Sequence, residues 1–127
     1  TQSVAELTVG CLLALIRDVP NVNNLMHANK WEKFTGHLLK GMKVLLIGYG
    51  RIGKKVASIL DAIGAKIFIY DPFISDNDIP DTIKKIELTA NELFFLNYNQ
   101  IRPYLFFIFF LNYKKVIKCM NKLGFLT

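Results

Sequence analysis

Residues 43–53 run Lys-Val-Leu-Leu-Ile-Gly-Tyr-Gly-Arg-Ile-Gly, and residues 66–71 run Lys-Ile-Phe-Ile-Tyr-Asp. The first stretch contains an uninterrupted apolar run, Val44 to Ile47, which is typical of a parallel strand buried on both faces. The second contains a similar run, Ile67 to Tyr70. Between the two runs, apolar residues recur at helical spacing from Arg51 onward. The sequence therefore predicts a strand, a helix and a second strand that form a βαβ unit.

Three glycines, Gly48, Gly50 and Gly53, follow the first strand with the spacing G-x-G-x-x-G. In a dinucleotide site the first glycine permits a tight turn, the second lets the backbone approach a pyrophosphate, and the third lets helix and strand pack closely. The helix that starts here would direct its free amide groups at the phosphates, and Gly64 is placed to end it. We predict a dinucleotide site; the alternative is a glycine-rich turn in an unrelated α/β domain.

Asp71 ends the second strand, eighteen residues after Gly53. An acidic residue at this place binds the adenosine ribose hydroxyls, and its charge repels a 2′-phosphate. Pro72 and Phe73 follow, so no adjacent arginine offers a phosphate pocket. The predicted cofactor is NAD rather than NADP.

The distribution of charge along the chain argues against a nucleic-acid-binding protein. The 127 residues suffice for one domain, and the net charge is +6. Residues 1–92 hold 11 of the 16 Lys and Arg and all 10 acidic residues, which leaves +1 there and +5 in residues 93–127. Because the basic charge belongs to the tail, we predict no nucleic-acid binding.

The remaining sequence signals predict neither a metal site nor a membrane span. Two cysteines, Cys11 and Cys119, and two histidines, His27 and His37, are isolated and have no metal-ligand spacing. The longest strongly apolar run, Tyr104–Leu111, falls short of the ~20 residues that a spanning helix needs. The chain opens without methionine or a basic signal region, so we expect a fragment of a cytoplasmic protein.

The N-terminal residues predict two helices. Ser3 and Glu6 have the spacing of a capping box, so the first helix should begin at Val4 and end near Arg17 and Pro20. Its apolar residues cover nearly the whole circumference, which predicts burial on most sides and a missing N-terminal segment. A second, shorter helix is predicted within residues 21–29, followed by Trp31 as a packing anchor.

The chain resembles the NAD-binding domain of the D-isomer-specific 2-hydroxyacid dehydrogenases over about its first 95 residues. The resemblance rests on these stretches: Ser3-Val-Ala-Glu6, Lys30-Trp31, Leu39-Lys40-Gly41, Gly48-Tyr-Gly-Arg-Ile-Gly53 and Tyr70-Asp-Pro-Phe73. It implies a partial Rossmann-type α/β domain with a doubly wound parallel sheet, opened by an interdomain helix. The implied cofactor-binding residues are Gly48, Tyr49, Gly50, Arg51, Ile52, Gly53, Asp71 and Pro72.

The resemblance also implies the function and partners of the full-length family. Members transfer a hydride between NAD and a small 2-hydroxy or 2-oxo acid, and the full-length family is expected to form homodimers. Their catalytic arginine, glutamate and histidine lie beyond the point where the match ends, so no catalytic residue is expected here and the chain should be inactive. The alternatives are an NAD-sensing regulator similar to the C-terminal-binding-protein corepressors, and a degraded gene product that neither folds nor binds.

Residues 96–127 depart from the family pattern. Phe, Ile, Asn, Lys and Tyr make up 21 of residues 93–127, and these are the types with AT-rich codons. We hypothesise that the tail is AT-rich DNA translated out of frame or beyond a normal boundary, or that it is disordered. The alternative is a genuine basic amphipathic helix at residues 113–123. A short third strand within residues 84–88 and a helix at residues 89–93 are predicted before the tail.

Overall fold

The computed structural model describes residues 1–33 and 35–87, together with the backbone of residues 105–107. In chain order the elements are α1 (Gln2–Ile16), α2 (Val19–His27), β1 (Lys43–Ile47), α3 (Arg51–Ile63), β2 (Lys66–Tyr70), a 3-10 turn (Asp76–Asp78), β3 (Ile83–Lys85) and β4 (Leu105–Phe107). No helix within these ranges is long and apolar enough to cross a membrane.

The strands of the described residues form one parallel sheet in the order β3-β2-β1-β4. Strand β1 pairs along its whole length with β2, and Val44 is in register with Leu105 of β4 on the other side. The central residues of β1, Val44, Leu45 and Leu46, are buried, as expected of a strand covered on both faces. This order of parallel strands confirms the predicted Rossmann-type α/β class.

Helix α3 connects the two central strands of this sheet. It begins at Arg51 and ends at Ile63, and Gly64 follows with φ +94°, the left-handed conformation that glycine adopts readily after a helix. Its side chains Val56, Ala57 and Leu60 are buried in the same core as β1 and β2. The βαβ unit predicted from the apolar spacing is confirmed.

Helix α1 packs against α3 through one face. Its buried residues are Ala5, Thr8, Val9, Leu12 and Ile16. By contrast, Leu7 and Leu15 are 65% and 62% exposed. The prediction of burial on most sides is wrong for this chain, because the described residues cover only the stripe that repeats every three to four positions.

The predicted capping box does not form. Helix α1 begins at Gln2 with Thr1 as its N-cap residue, and no side chain caps it. The carbonyl oxygen of Thr1 already accepts from Ala5 N–H at 3.2 Å, so Ser3 lies inside the helix. The Gln2 side-chain amide donates to the Glu6 carboxylate at 2.8 Å, which occupies that carboxylate one turn along the helix.

The segment after α1 corrects two further predictions. Helix α2 begins at Val19, earlier than predicted, with Pro20 in the first turn, where a missing amide is tolerated. Trp31 is 83% exposed, so its prediction as a packing anchor is wrong. Helix α2 contributes no buried side chain to the core of the described residues either.

Several predictions meet the limits of the described residues. The third strand exists as Ile83–Lys85 and therefore starts one residue earlier than predicted. The helix predicted at residues 89–93, Cys119 and the alternative helix at residues 113–123 lie outside the described residues. Within the tail, the backbone of Leu105–Phe107 forms strand β4.

Candidate dinucleotide-binding site

The glycine loop begins at the carboxyl end of β1, beside the end of β2. Gly48 has φ +97°, a conformation that strains residues with a side chain. Its amide donates to the carbonyl oxygen of Tyr70 at 2.8 Å, so the turn stays joined to β2 after the strand pairing ends. The tight turn predicted for the first glycine is present.

Gly50 and Gly53 face different surroundings. A Cβ atom at Gly53 would collide with the backbone carbonyl oxygen of Gly48, so only glycine lets α3 start this close to the loop. A Cβ atom at Gly50 would have no heavy atom of the described chain within 4 Å. Gly50 also has φ −76° and ψ −165°, which any residue can adopt. Neither packing nor backbone conformation requires a glycine at position 50, whereas a ligand that approaches the backbone would require one.

Asp71 connects the glycine loop to the segment after β2. The residue is only 6% exposed. Its Oδ2 atom accepts from Tyr49 N–H at 2.8 Å, and its Oδ1 atom accepts from Phe73 N–H at 2.9 Å. A carboxylate has about four lone-pair sites, so each oxygen keeps capacity for another donor such as a hydroxyl. The acid expected to bind ribose is therefore fixed at the glycine loop.

Tyr49 supports the loop from inside. It is 4% exposed and belongs to the hydrophobic core, and Lys54 Nζ lies 5.8 Å from the centre of its ring. Burial raises the pKa of the Tyr49 phenol, and the negative charge of Asp61 raises it further. The buried ring anchors the residue whose backbone amide donates to Asp71.

The start of α3 provides positive charge next to the open side of Gly50. No side chain caps this helix, so its first-turn amides lack a capping acceptor, and the helix dipole adds partial positive charge there. Arg51 and Lys54 lie in its first four residues, whereas the Lys55 ammonium donates to the Gln2 side chain of α1 at 3.0 Å. Arg51 is exposed, whereas Ile52 is half-buried and packs on the core. An open backbone approach with positive charge fits the pyrophosphate of a dinucleotide.

The structure thus brings the predicted site residues to one edge of the sheet. Gly48 to Gly53 follow β1, and Asp71 and the exposed Pro72 follow the neighbouring strand β2. The hydrogen bond between Tyr49 and Asp71 joins the two groups directly. Among the described residues, no group of three His, Cys, Asp or Glu side chains is arranged to hold a metal ion.

Sequence analysis did not identify Lys85, at the end of β3. Its ammonium donates to the Ile74 carbonyl oxygen at 3.1 Å and to the Asp76 carboxylate at 2.9 Å, and it lies 3.9 Å from Glu87. The hydrogen bond to Asp76 raises the pKa of Lys85, although partial desolvation opposes it; the charges of Asp76, Glu87 and Asp71 also raise it. No local motif marks this lysine, because its two hydrogen-bond partners, Ile74 and Asp76, lie eleven and nine residues away in the sequence.

Comparison with known proteins identifies relatives of this chain. The chain is 42% identical over 73 residues to D-3-phosphoglycerate dehydrogenase of Haemophilus influenzae, covering 56% of this chain and 18% of that protein. It is 41% identical over 80 residues to hydroxypyruvate reductase of Thermotoga maritima, covering 61% of this chain and 26% of that protein. The chain therefore spans less than a third of the length of these relatives.

A solved structure and a family model extend the comparison to the fold. The NAD-dependent formate dehydrogenase of Staphylococcus aureus in complex with NAD matches with a TM-score of 0.62 at 27% identity, covering 72% of this chain and 28% of that one. The family model for the NAD-binding domain of D-isomer-specific 2-hydroxyacid dehydrogenases matches residues 9–95, more than half of the 127 residues. With its parallel sheet and glycine loop, the chain belongs to the D-isomer-specific 2-hydroxyacid dehydrogenase family, through that family's NAD-binding domain.

Proposed function

We propose that the eight residues predicted from the sequence form the NAD site of this chain: Gly48, Tyr49, Gly50, Arg51, Ile52, Gly53, Asp71 and Pro72. The observation that carries this proposal is the hydrogen bond from Tyr49 N–H to the Asp71 carboxylate. It fixes a buried acid beside a loop whose backbone is open at Gly50. A dinucleotide site requires both features, because the acid binds the ribose and the open loop leaves space for the pyrophosphate.

Each group has a chemical task in this proposal. The amides at the start of α3 and the Arg51 guanidinium bind the pyrophosphate, while Gly50 leaves space for it. Asp71 accepts hydrogen bonds from the adenosine ribose hydroxyls through its remaining lone pairs. The same negative charge repels a 2′-phosphate, which favours NAD over NADP. Bound NAD would supply the hydride chemistry; these residues bind and orient it.

For the whole protein we propose hydride transfer between NAD and a D-2-hydroxy acid, of the phosphoglycerate dehydrogenase type. The matches to a phosphoglycerate dehydrogenase and a hydroxypyruvate reductase support this assignment. A homodimer, a cytoplasmic location and the absence of nucleic-acid binding remain proposals that rest on the family resemblance and the charge distribution. We further propose that residues 1–95 are a partial NAD-binding domain and that residues 96–127 lie outside the family pattern.

Residues 1–127 should not turn over substrate by themselves. The sequence contains two histidines, His27 and His37, and both are exposed and precede the glycine loop. A positioned acid or base contributes about 10²–10⁴-fold in rate, and neither histidine belongs to the stretches of sequence proposed to bind NAD. Incubation of the purified chain with NAD and 3-phosphoglycerate or D-lactate should form no NADH; steady NADH formation would contradict this expectation.

Calorimetric titration of the full chain with NAD and NADP tests the proposed cofactor site. We expect NAD to bind and NADP to bind more weakly, because Asp71 repels the additional phosphate. Equal affinities would overturn the role of Asp71, and no binding of either would overturn the site. Translation of the DNA after codon 93 in the other two frames tests the tail hypothesis: a family-like continuation there would identify a frameshift.

A further inference from the structure

The segment from Asp71 to Ile79, which we call the ribose-side loop, follows β2 and includes the 3-10 turn Asp76–Asp78. At its start, the Asp71 carboxylate accepts from the amides of Tyr49 and Phe73. Farther along, Ile74 and Ile79 are partly buried against the core. If Asp71 holds the ribose, as proposed above, this loop lies next to the adenosine half of the cofactor.

Lys85 holds the middle of the ribose-side loop. Strand β3 places Lys85 in register with Ile69, two residues before Asp71, and the amide of Ile86 donates to the Ile69 carbonyl oxygen at 2.8 Å. From this strand the Lys85 ammonium reaches back to the Ile74 carbonyl oxygen and the Asp76 carboxylate. Its side chain is 22% exposed, whereas that of Asp76 is 83% exposed. The lysine therefore fixes the loop from the protein side.

We propose that Lys85 is a positioning residue for the adenosine half of NAD, acting through the ribose-side loop rather than by contact with the cofactor. Without the ammonium, the Ile74 carbonyl oxygen and the Asp76 carboxylate lose their common donor. The loop then has more conformations in the free protein, and binding must select the competent one. This inference rests on the proposed NAD site and adds a residue that the site itself does not contain.

The test compares NAD affinity and amide exchange across four full-length variants. Lys85→Met removes the ammonium and keeps the apolar stem; Lys85→Arg restores a cation with several donors. Lys84→Met is the matched control, since Lys84 is the exposed neighbour on the same strand. Asp76→Asn removes the ion pair from the other side and takes the place of Lys85→Met if that variant does not fold.

We expect Lys85→Met to bind NAD about three- to tenfold more weakly. This loss is similar in size to the contribution of an ion pair combined with a hydrogen bond. Asp76→Asn should shift affinity in the same direction, Lys84→Met should match the unmutated chain, and Lys85→Arg should recover most of the loss. Without ligand, hydrogen exchange of residues 72–79 should accelerate in Lys85→Met, whereas that of β1 should not change.

The outcomes separate this inference from the proposed function. If the unmutated chain binds NAD and Lys85→Met binds it equally well, the positioning role is overturned and the NAD site stands. An equal loss in Lys84→Met would also overturn it, because the effect would then be one of general charge. If the unmutated chain does not bind NAD, the proposed function and this inference fail together.

Discussion

Replacement of Gly50 by valine tests whether that glycine serves the ligand rather than the fold. The backbone at Gly50, with φ −76° and ψ −165°, is open to valine, and a Cβ atom would have no described heavy atom within 4 Å. We therefore expect the free energy of unfolding to change by no more than about 0.5–1 kcal/mol. NAD affinity should fall at least about hundredfold, or about 2.7 kcal/mol, because the side chain fills the space of the pyrophosphate.

Gly53→Ala is the matched variant, in which we expect the substitution to act on the stability of the fold. Its methyl group would collide with the Gly48 carbonyl oxygen, a backbone atom that yields only if the loop or α3 shifts. Overpacking of this kind costs about 1–3 kcal/mol, and alanine returns at most about 1 kcal/mol in helix propensity. With the full propensity gain subtracted from the middle of that range, we expect a net loss of about 1 kcal/mol in the free energy of unfolding.

Urea unfolding monitored by circular dichroism measures the stability of both variants. Calorimetric titration with NAD measures their affinity. Tryptophan fluorescence is a poor probe, because Trp31 is 83% exposed and its surroundings change little on unfolding. Unchanged NAD affinity in Gly50→Val would refute the assignment of the glycine loop to the pyrophosphate. Gly53→Ala at or above the stability of the unmutated chain would refute the packing argument.

Two further predictions concern titratable groups of the site and of the strand β3 beside it. Asp71→Ala should weaken NAD binding and reduce discrimination against NADP, and it should cost about 1–3 kcal/mol of stability because the buried Tyr49 amide loses its acceptor. Titrations with both dinucleotides measure the affinities, and urea unfolding measures the stability. Unchanged discrimination would contradict the prediction. In the folded chain the pKa of Tyr49 is raised from 10.0 and that of Lys85 from 10.5. Each protonated group therefore contributes its full stabilisation below its unfolded pKa, and this contribution disappears as pH rises through its folded pKa. The unfolding free energy should therefore fall above about pH 10, less steeply in Tyr49→Phe or Lys85→Met; equal slopes in all three proteins would exclude these two groups as the cause.

The part of the fold that local sequence determines was predictable. The apolar runs of β1 and β2, the helical spacing of α3 and the glycine at its end each depend on neighbours within a few residues. Gly48 and Gly53 were assigned the conformations and packing that the structure has, because G-x-G-x-x-G describes one loop geometry. For these elements, local preference and tertiary packing agree.

Predictions failed where the outcome depends on distant residues. Trp31 is a large apolar residue with a strong average preference for burial, yet the described residues leave it 83% exposed. The motif of Ser3 and Glu6 describes a helix start, but the backbone bond from Ala5 to Thr1 begins the helix earlier. The contacts of Lys85 were not predictable from local sequence, because they form only when β3 pairs with β2.

The order of the strands determines which half of a dinucleotide the family-matching residues can serve. Strand β1 lies between β2 and β4, and Asp71 is on the β2 side. A dinucleotide in such a sheet lies across the crevice where strand order reverses, so the nicotinamide half would extend toward β4, beyond the family match that ends at residue 95. Residues 1–95 should therefore supply affinity mainly for the adenosine and pyrophosphate groups. ADP-ribose should then bind the chain about as tightly as NAD, since it keeps both groups and lacks only nicotinamide. Competition titration measures this ratio; ADP-ribose more than about tenfold weaker, a difference of about 1.4 kcal/mol, would mean that this chain also holds the nicotinamide.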